Sequence, residues 1–527
     1  MKKILAILLV ACMAVTLLVA CGNGDESGTP TTSGSQSPGT SPTGSGEIVS
    51  AKDTLRIAIG GDNGTLIPAN ITGGFVGVVR QYQEVLVDFM NDGTMVYILA
   101  TDVEELEDKW VVTLREGVTF SNGNPFTAQD VLFTLEWYFT QPMGPMYLST
   151  IDMETTRIID DHKIEIGLLQ YSLTQLSSMS QIYILDHRTF DENESVMNPI
   201  GTGPYFVTDY VINSHLYMKA RDDWWGGTPH IENLQFRILT EDAQFVNAIQ
   251  AGTVDVATVP GQDVDFVKGL PGLNVNQWYG GFVPILAFNF TDGSLMSSMD
   301  ARVAVAHAFN RDAVINLAYF GSASQVDQPF SAGSRDMEAR FANMHPVYSV
   351  GYDVDLAKEY AERAGLVGQE LVVITNGTSA NVATAEILQD NLRAIGITLI
   401  INNYDVASFS AIANDPTMFD LQITAVASPH NLGFSIVDSY VSWGEARYAS
   451  GWPRWDDYIA LGRTALSNRD AASRGNQLYE MLQMFTEVMP WYGIADIMNS
   501  MAISSDIAGN QVWSAGGSRY FEWYFTG

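Results

Sequence analysis

The sequence predicts an α/β protein of two lobes, the first richer in hairpins than the second, and three observations carry that expectation. Between Leu371 and Ile401 a strand, a helix and a strand follow one another with short joints. Such a succession makes a right-handed βαβ unit, and so a parallel sheet covered on both faces. In the first half, residues 156–168 and 205–221 alternate in polarity and turn back around Asp160-Asp161 and Asn213-Ser214, as hairpins do. Finally, 527 residues with 46 % apolar side chains suit two to four domains, and no repeat of 20–50 residues points to a solenoid.

Taken in order, Leu55–Ile59 and Trp110–Leu114 read as strands. Thr127 caps a helix running through Phe139, with Val131, Leu132, Leu135 and Phe139 on one face. Thr240 starts a second helix that Gly252 stops, and the short strand Val254–Val256 follows. A helix carrying Leu356, Tyr360 and Ala364 ends at Gly365. Strand Leu371–Thr375 comes next, then a helix from Ser379 to Ala394, the stop Gly396 and strand Ile397–Ile401. Phe419–Val426 makes a third strand, and a late helix around Gln477–Val488 ends before Pro490.

The N-terminus is of a different kind. Met1-Lys2-Lys3 precedes an apolar or small stretch from Ile4 to Ala20, which reads as a secretory signal. Residues 22–46 contain 21 Gly, Ser, Thr or Pro among 25, too polar to bury a core. As a random coil that tether spans roughly 28 Å. Beyond Lys52 no apolar run approaches 18 residues, so no later membrane-spanning helix is expected.

Charge and motifs narrow the function. With 60 acidic against 27 basic side chains, the formal charge is −33. A surface so poor in Lys and Arg is repelled by phosphate, which argues against nucleic acid and against an anionic lipid surface as docking platform. No two of the seven histidines lie within five residues, and neither a GxSxG elbow, an SxxK nor a P-loop occurs. Gly201-Thr-Gly203-Pro204 opens like a dinucleotide fingerprint but lacks the third glycine. The carboxylate pairs Asp222-Asp223 and Asp456-Asp457 stand beside tryptophans, and an exported, acidic, aromatic-rich chain could be a glycoside hydrolase, whose acid/base pair stands about 5–9 Å apart. Adjacent acids in so acidic a chain are more often solvated turns. The expectation is no enzyme, no catalytic residue, no cofactor and no metal centre.

Two stretches carry a resemblance. Leu18-Val19-Ala20-Cys21 resembles the bacterial lipobox, which implies cleavage before Cys21 and a diacylglyceryl anchor on its thiol. Cys12 would leave with the signal, so neither disulfides nor cysteine metal sites are expected. Residues 110–131, WVVTLREGVTFSNGNPFTAQDV, resemble the signature of the family 5 extracellular solute-binding proteins, the oligopeptide, dipeptide and nickel receptors of ABC importers. Leu114, Arg115, Gly117, Val118, Phe120, Gly123, Pro125, Phe126, Ala128, Asp130 and Val131 all match it. Pro199 to Tyr205, Ala251 to Asp255, Phe288-Asn289, Asp300 to Arg311, Tyr352 to Gly365 and Ile395-Gly396-Ile397 resemble further family motifs in family order.

The resemblance implies a two-lobed clamshell of the periplasmic-binding-protein type, whose larger first lobe bears an extra hairpin subdomain. The implied division is 1–21 signal peptide, 22–50 tether, 51–279 lobe I, 280–490 lobe II and 491–527 return to lobe I. It implies the extracytoplasmic, lipid-anchored substrate-binding component of an importer, a monomer outside the cell membrane or in the periplasm. Its partners would be a solute, a permease and its ATPase.

Ligand choice is read less directly. Peptide receptors of this family place a Trp and an Asp where this chain has Gln422 and Ala425, so the acid that would pair with a peptide amine is missing. An oligopeptide-like solute is expected from the family, with oligosaccharides or metal chelates as alternatives. Asp62 and Asn63 follow the first strand; Tyr279 and Phe282 flank Gly280-Gly281 at the expected crossover. His430 resembles the nickel branch's Asp-Pro-His, and Trp443, Arg447 and Trp452 lie in an aromatic stretch suited to rings or apolar side chains. Tyr492 follows Pro490-Trp491 at the return to lobe I. These nine residues are the ligand-binding candidates.

Overall fold

Two large hydrophobic cores, with a smaller cluster beside each, organise the described residues. The structure is a computed structural model that describes residues 49–527 except 72–74, 91–93, 142–143, 290, 332–337, 428–450, 511 and 515–516. The strands, in chain order, are β1 (Thr54–Gly60), β2 (Val87–Phe89), β3 (Met95–Tyr97), β4 (Ala100–Glu105), β5 (Lys109–Leu114), β6 (Ile151–Asp160), β7 (Lys163–Leu168), β8 (Tyr205–Val211), β9 (His215–Ala220), β10 (Asn233–Leu239), β11 (Val256–Thr258) and β12 (Leu273–Tyr279). After the crossover come β13 (Phe282–Phe288), β14 (Ala323–Gln325), β15 (Glu370–Thr375), β16 (Thr398–Asn403), β17 (Leu421–Ala427), β18 (Trp491–Gly493) and β19 (Ala495–Ser504).

The first core packs on a sheet of order β12-β19-β11-β1-β10-β9-β8, with β14 attached to β19, and on a four-stranded antiparallel sheet of order β4-β5-β7-β6. Its buried side chains run from Leu55 to Val256 and resume at Ile503, Trp523 and Phe525. The second core, from Val283 to Ala495, packs on the sheet β16-β15-β17-β13-β18. Here β15 and β16 pair in parallel through Glu370–Thr375 and Thr398–Asn403, joined by helix Ser379–Arg393: the expected βαβ unit.

Local chemistry explains the elements. Helix Ala128–Thr140 starts on a capping box in which Thr127 and Asp130 satisfy each other's backbone. Its buried face is Ala128, Val131, Leu135 and Tyr138; Phe139, expected on that face, is exposed. The second helix is capped by Glu241, one residue later than expected, because Gln244 completes its box, and strand β11 begins at Val256. Helix Val354–Ala364 ends at the left-handed Gly365, but it buries the small Ala357 and Ala361 while Leu356 and Tyr360 stay half-buried at the margin.

Glycine matters most in the turn before β8. A side chain on Gly201 would sit 2.0 Å from the Tyr82 carbonyl, and one on Gly203 would sit 2.6 Å from the same peptide. The backbones therefore touch, with Gly203 N–H donating to Tyr82 and Tyr205 N–H to Gln81. The Gly-Thr-Gly stretch is a packing device and not a phosphate loop. Among the described residues no helix is long and apolar enough to cross a membrane.

Candidate functional site

The main chain crosses between the two cores at two neighbouring places. Strand β12, paired with β19, continues through Gly280-Gly281 into β13, which pairs with β17 and β18. Strand β18 returns through Ile494 into β19. Strand polarity then fixes what faces the crossing. β1, β10 and β11 are mutually parallel, and β12, like β11, is antiparallel to β19. All four therefore end on the edge where β12 leaves the sheet. In the second sheet β15, β16 and β17 are parallel, and the last residue of β17 pairs with Phe282, the first of β13. The carboxyl edges of both sheets thus turn toward the crossing, and carboxyl edges are where open α/β sheets bind ligands.

Asp62 lies on this edge, just past β1. One carboxylate oxygen accepts from the Gly64 amide at 2.8 Å and from the Tyr210 hydroxyl at 2.6 Å; the other accepts from the Asn213 amide at 2.6 Å. Burial, with the Asp62 carboxylate second, pushes the Tyr210 phenol well above its ordinary range. Asp62 thereby ties the loop after β1 to the turn of the β8–β9 hairpin. Asn63 beside it is half-buried. Tyr279 and Phe282 flank the crossing and are 40 % and 52 % exposed, and Ser324 Oγ lies 3.3 Å from the Tyr279 hydroxyl.

Two candidates are placed in the core instead of at a surface. Trp452 is 2 % exposed and packs against Trp455, Tyr458 and Phe485. Tyr492 is fully buried: its hydroxyl donates to the Val347 carbonyl and the Arg311 guanidinium stacks 4.8 Å from its ring centre. Aromatic residues at these positions fill the second lobe, where they bury the most surface. His430, Trp443, Arg447 and Cys21 lie outside the described residues. Gln422 is buried and donates its amide to the Ala413 carbonyl at 2.7 Å, whereas Ala425 is exposed near the carboxyl end of β17.

The tryptophans beside Asp222-Asp223 have another partner. Trp224 and Trp225 donate their indole N–H groups to the two oxygens of Glu84, at 3.3 and 2.9 Å. Burial pushes the Glu84 carboxyl up to about 7 against these hydrogen bonds. Asp223 instead pairs with Arg221, so the adjacent acids are not a catalytic dyad. Asp130, Asp186 and His187 cluster closely enough to hold an ion. Their oxygens are already taken: His187 Nδ1 meets Asp130 at 2.6 Å, Asn122, Asn124 and Thr189 donate to Asp186, and Arg188 stands 3.5 Å from Asp130. That network pins the capped helix to the segment after it.

Residues 94–445 match the profile of the bacterial extracellular solute-binding proteins, family 5 Middle, over more than half of the chain. The chain belongs to this family. Among relatives of this family 5 binding protein, Di/tripeptide-binding protein 2 of Pseudomonas aeruginosa is 24 % identical over 465 residues, 78 % of this chain and 84 % of that protein. NikA of Brucella suis, solved in complex with Fe(III)-EDTA, superposes with a TM-score of 0.81 at 19 % identity, covering 90 % of this chain and 99 % of that one. The oligopeptide-binding protein AppA of Bacillus subtilis, solved with a nonapeptide, gives 0.74 at 16 % identity, covering 91 % and 100 %. The fold is therefore the two-lobed binding-protein fold of family 5. Sequence reasoning missed Arg80, Glu84, Tyr183 and Arg519 of this family 5 protein, which line one cavity in the first lobe. The only signal for them was the Trp224-Trp225 pair, whose partner lies 140 residues upstream.

Proposed function

We propose that this chain is the substrate-binding component of an ABC importer, tethered outside the cell membrane through Cys21, and that it encloses a peptide-class solute and passes it to a permease unchanged. The lobes would divide as 51–279 with 495–527, and 280–494, the return coming four residues later than expected because Trp491–Gly493 pairs with β13 in the second sheet. The observation that carries the reading is the pair of carboxyl edges turned toward a two-strand crossing, a geometry in which hinge closure buries a solute without supplying a nucleophile. A solute of the relatives' class is favoured by the Pseudomonas di/tripeptide-binding protein, which this chain matches over most of its length.

A second solute class is favoured by Ala425. It is exposed at the carboxyl end of β17 and brings no carboxylate to a peptide amine, and burying an unpaired ammonium is strongly unfavourable. An oligosaccharide or a metal chelate needs no such acid.

Thermal unfolding of the soluble body with free-amine peptides, N-acetylated peptides, oligosaccharides and metal chelates decides between them. A ligand at 100 times its dissociation constant stabilises by about 2.7 kcal/mol. Stabilisation by one class with the solute recovered intact is expected. Multiple-turnover hydrolysis of that solute would overturn the reading.

A further inference from the structure

A third link joins the lobes beside the two crossings of the main chain. The stretch from Arg311 to Phe330 runs through the second lobe, with Val314, Ala318, Val326 and Phe330 buried in its core. In the middle of that stretch β14 pairs with the start of β19 in the first sheet, Ala323 with Ile497, Ser324 with Asp496 and Gln325 with Ala495. The turn before β14 is seated on the first lobe as well. The Ser322 carbonyl accepts from the Met498 amide, and the Ser322 hydroxyl donates to the Gly261 carbonyl at 3.4 Å.

One buried cation holds the second-lobe ends of two of these links. Arg311, the first residue of helix Arg311–Leu317, is only 3 % exposed. Its Nη1 donates to the main-chain oxygen of Val326, the residue after β14, and to that of Gly493, the last residue of β18, the latter at 3.3 Å. The ring centres of Tyr492 and Tyr348 lie 4.8 and 5.6 Å from the guanidinium carbon. The Tyr348 hydroxyl accepts from the Gly493 amide at 3.0 Å, so both main-chain groups of that residue are held.

A buried guanidinium is costly to desolvate, and carbonyls offset that cost only while they stay in place. These two carbonyls belong to segments distant in sequence, so Arg311 ties the segments to each other. The segments also touch directly. A Cβ on Gly493 would lie 2.7 Å from Val326 Cγ2 and 2.8 Å from the Gln328 carbonyl oxygen. Only the peptide from Gln325 to Val326, and the residues from Gly493 to Ala495, separate the tied ends from the β19 ladder. Hinge closure bends a few such residues at the ends of elements.

We propose that Arg311 is a positioning residue for lobe closure: it clamps the second-lobe ends of β14 and β18 together, so that both links bend as one unit and the lobes meet in one alignment. Buried as it is, Arg311 acts through the two chain segments and not on the solute. Setting the closed alignment in advance lowers the ordering cost of enclosing a solute. The role deepens, and rests on, the reading of this chain as a receptor whose lobes close over a solute.

The alignment can be read without any solute. Cys12 and Cys21 both precede the soluble body, so spin labels on Glu154→Cys in the first lobe and Lys358→Cys in the second, both exposed positions, report one interlobe distance. The wild type should give a narrow distribution. Arg311→Met keeps an apolar stem in the core and should widen it about twofold as further arrangements become populated. Val314→Ala opens a cavity under the same helix and should lower the melting temperature while leaving the width unchanged. Tyr348→Phe deletes only the acceptor of the Gly493 amide and should widen the distribution less than Arg311→Met does. An unchanged width in Arg311→Met, or equal widening in Val314→Ala, would overturn the clamp; should Arg311→Met not fold, an unchanged width in Tyr348→Phe overturns it. With a solute in hand, Arg311→Met should bind about tenfold more weakly through faster dissociation, and Val314→Ala as the wild type does. Equal affinities in the two variants would also overturn the clamp. If no candidate solute binds, the receptor reading fails and the label distances still decide the clamp.

Discussion

Arg469, in the turn between helices Trp455–Ser467 and Ala471–Val488 of the second lobe, donates to the main-chain oxygen of Glu105, 3.2 Å away at the end of β4 in the first. The same guanidinium also donates to the Leu106 carbonyl and lies 4.4 Å from the centre of the Tyr171 ring. This contact joins the lobes far along the sequence from the β12–β13 crossing. Arg469→Ala removes it without touching either core. Solute affinity should fall about threefold to tenfold through faster dissociation, since exposed bonds of this kind contribute about 1 kcal/mol. Stopped-flow dissociation checks it; an unchanged off-rate contradicts a role in holding the lobes together.

The crossing itself depends on two glycines. Gly281 has φ +72°, where a Cβ is strained, and a Cβ on Gly280 would lie 2.5 Å from Asn499 Nδ2. Gly281→Ala should cost about 1 kcal/mol of stability. Gly280→Val should weaken solute binding more than it lowers the melting temperature, because the clash falls between β12 and β19 where the lobes meet. Paired melting and titration data on both variants separate the two effects.

Glu84 makes stability depend on pH. Its folded pKa of about 7 stands above the usual 4.5, because burial disfavours the charged form and the Trp225, Thr202 and Trp224 hydrogen bonds with the Arg519 charge only partly offset it. Arg80, Asp88 and Tyr183 face the same cavity. A raised carboxyl favours the folded state fully below the unfolded pKa and loses that advantage as pH rises through the folded one. The wild type should therefore lose about 3 kcal/mol between pH 4.5 and 7 through this residue. Glu84→Gln should flatten that part of the profile. Urea midpoints across the window test it, and parallel profiles for the two proteins would refute it.

Ala425→Asp tests the solute class. A carboxylate at this exposed position at the end of β17 should favour free-amine peptides over their N-acetylated forms by about tenfold, the worth of one charge-assisted bond. Titration with a matched peptide pair measures the ratio. No change would mean that another acid already holds the amine, or that no amine is bound there.

By itself the sequence determined what local periodicity and short-range chemistry control. The Thr127–Asp130 box, the βαβ unit from Glu370 to Asn403, the two hairpins and the turn at Gly280-Gly281 are all set by neighbours in the chain. The signature from Trp110 to Val131 was legible for the same reason and led to the family that residues 94–445 then showed. Only the tertiary structure decided which aromatic rings face solvent. Trp452 and Tyr492 are spaced no differently from surface rings, yet Phe485 and Arg311 close over them from distant segments. The cavity around Tyr183 was equally hidden, because its polar lining comes from Arg80 to Asp88, Tyr183 and Arg519, segments far apart in the chain that meet only once they pack. Periodicity reports which way a residue points within its own element; what stands opposite is a property of the whole fold.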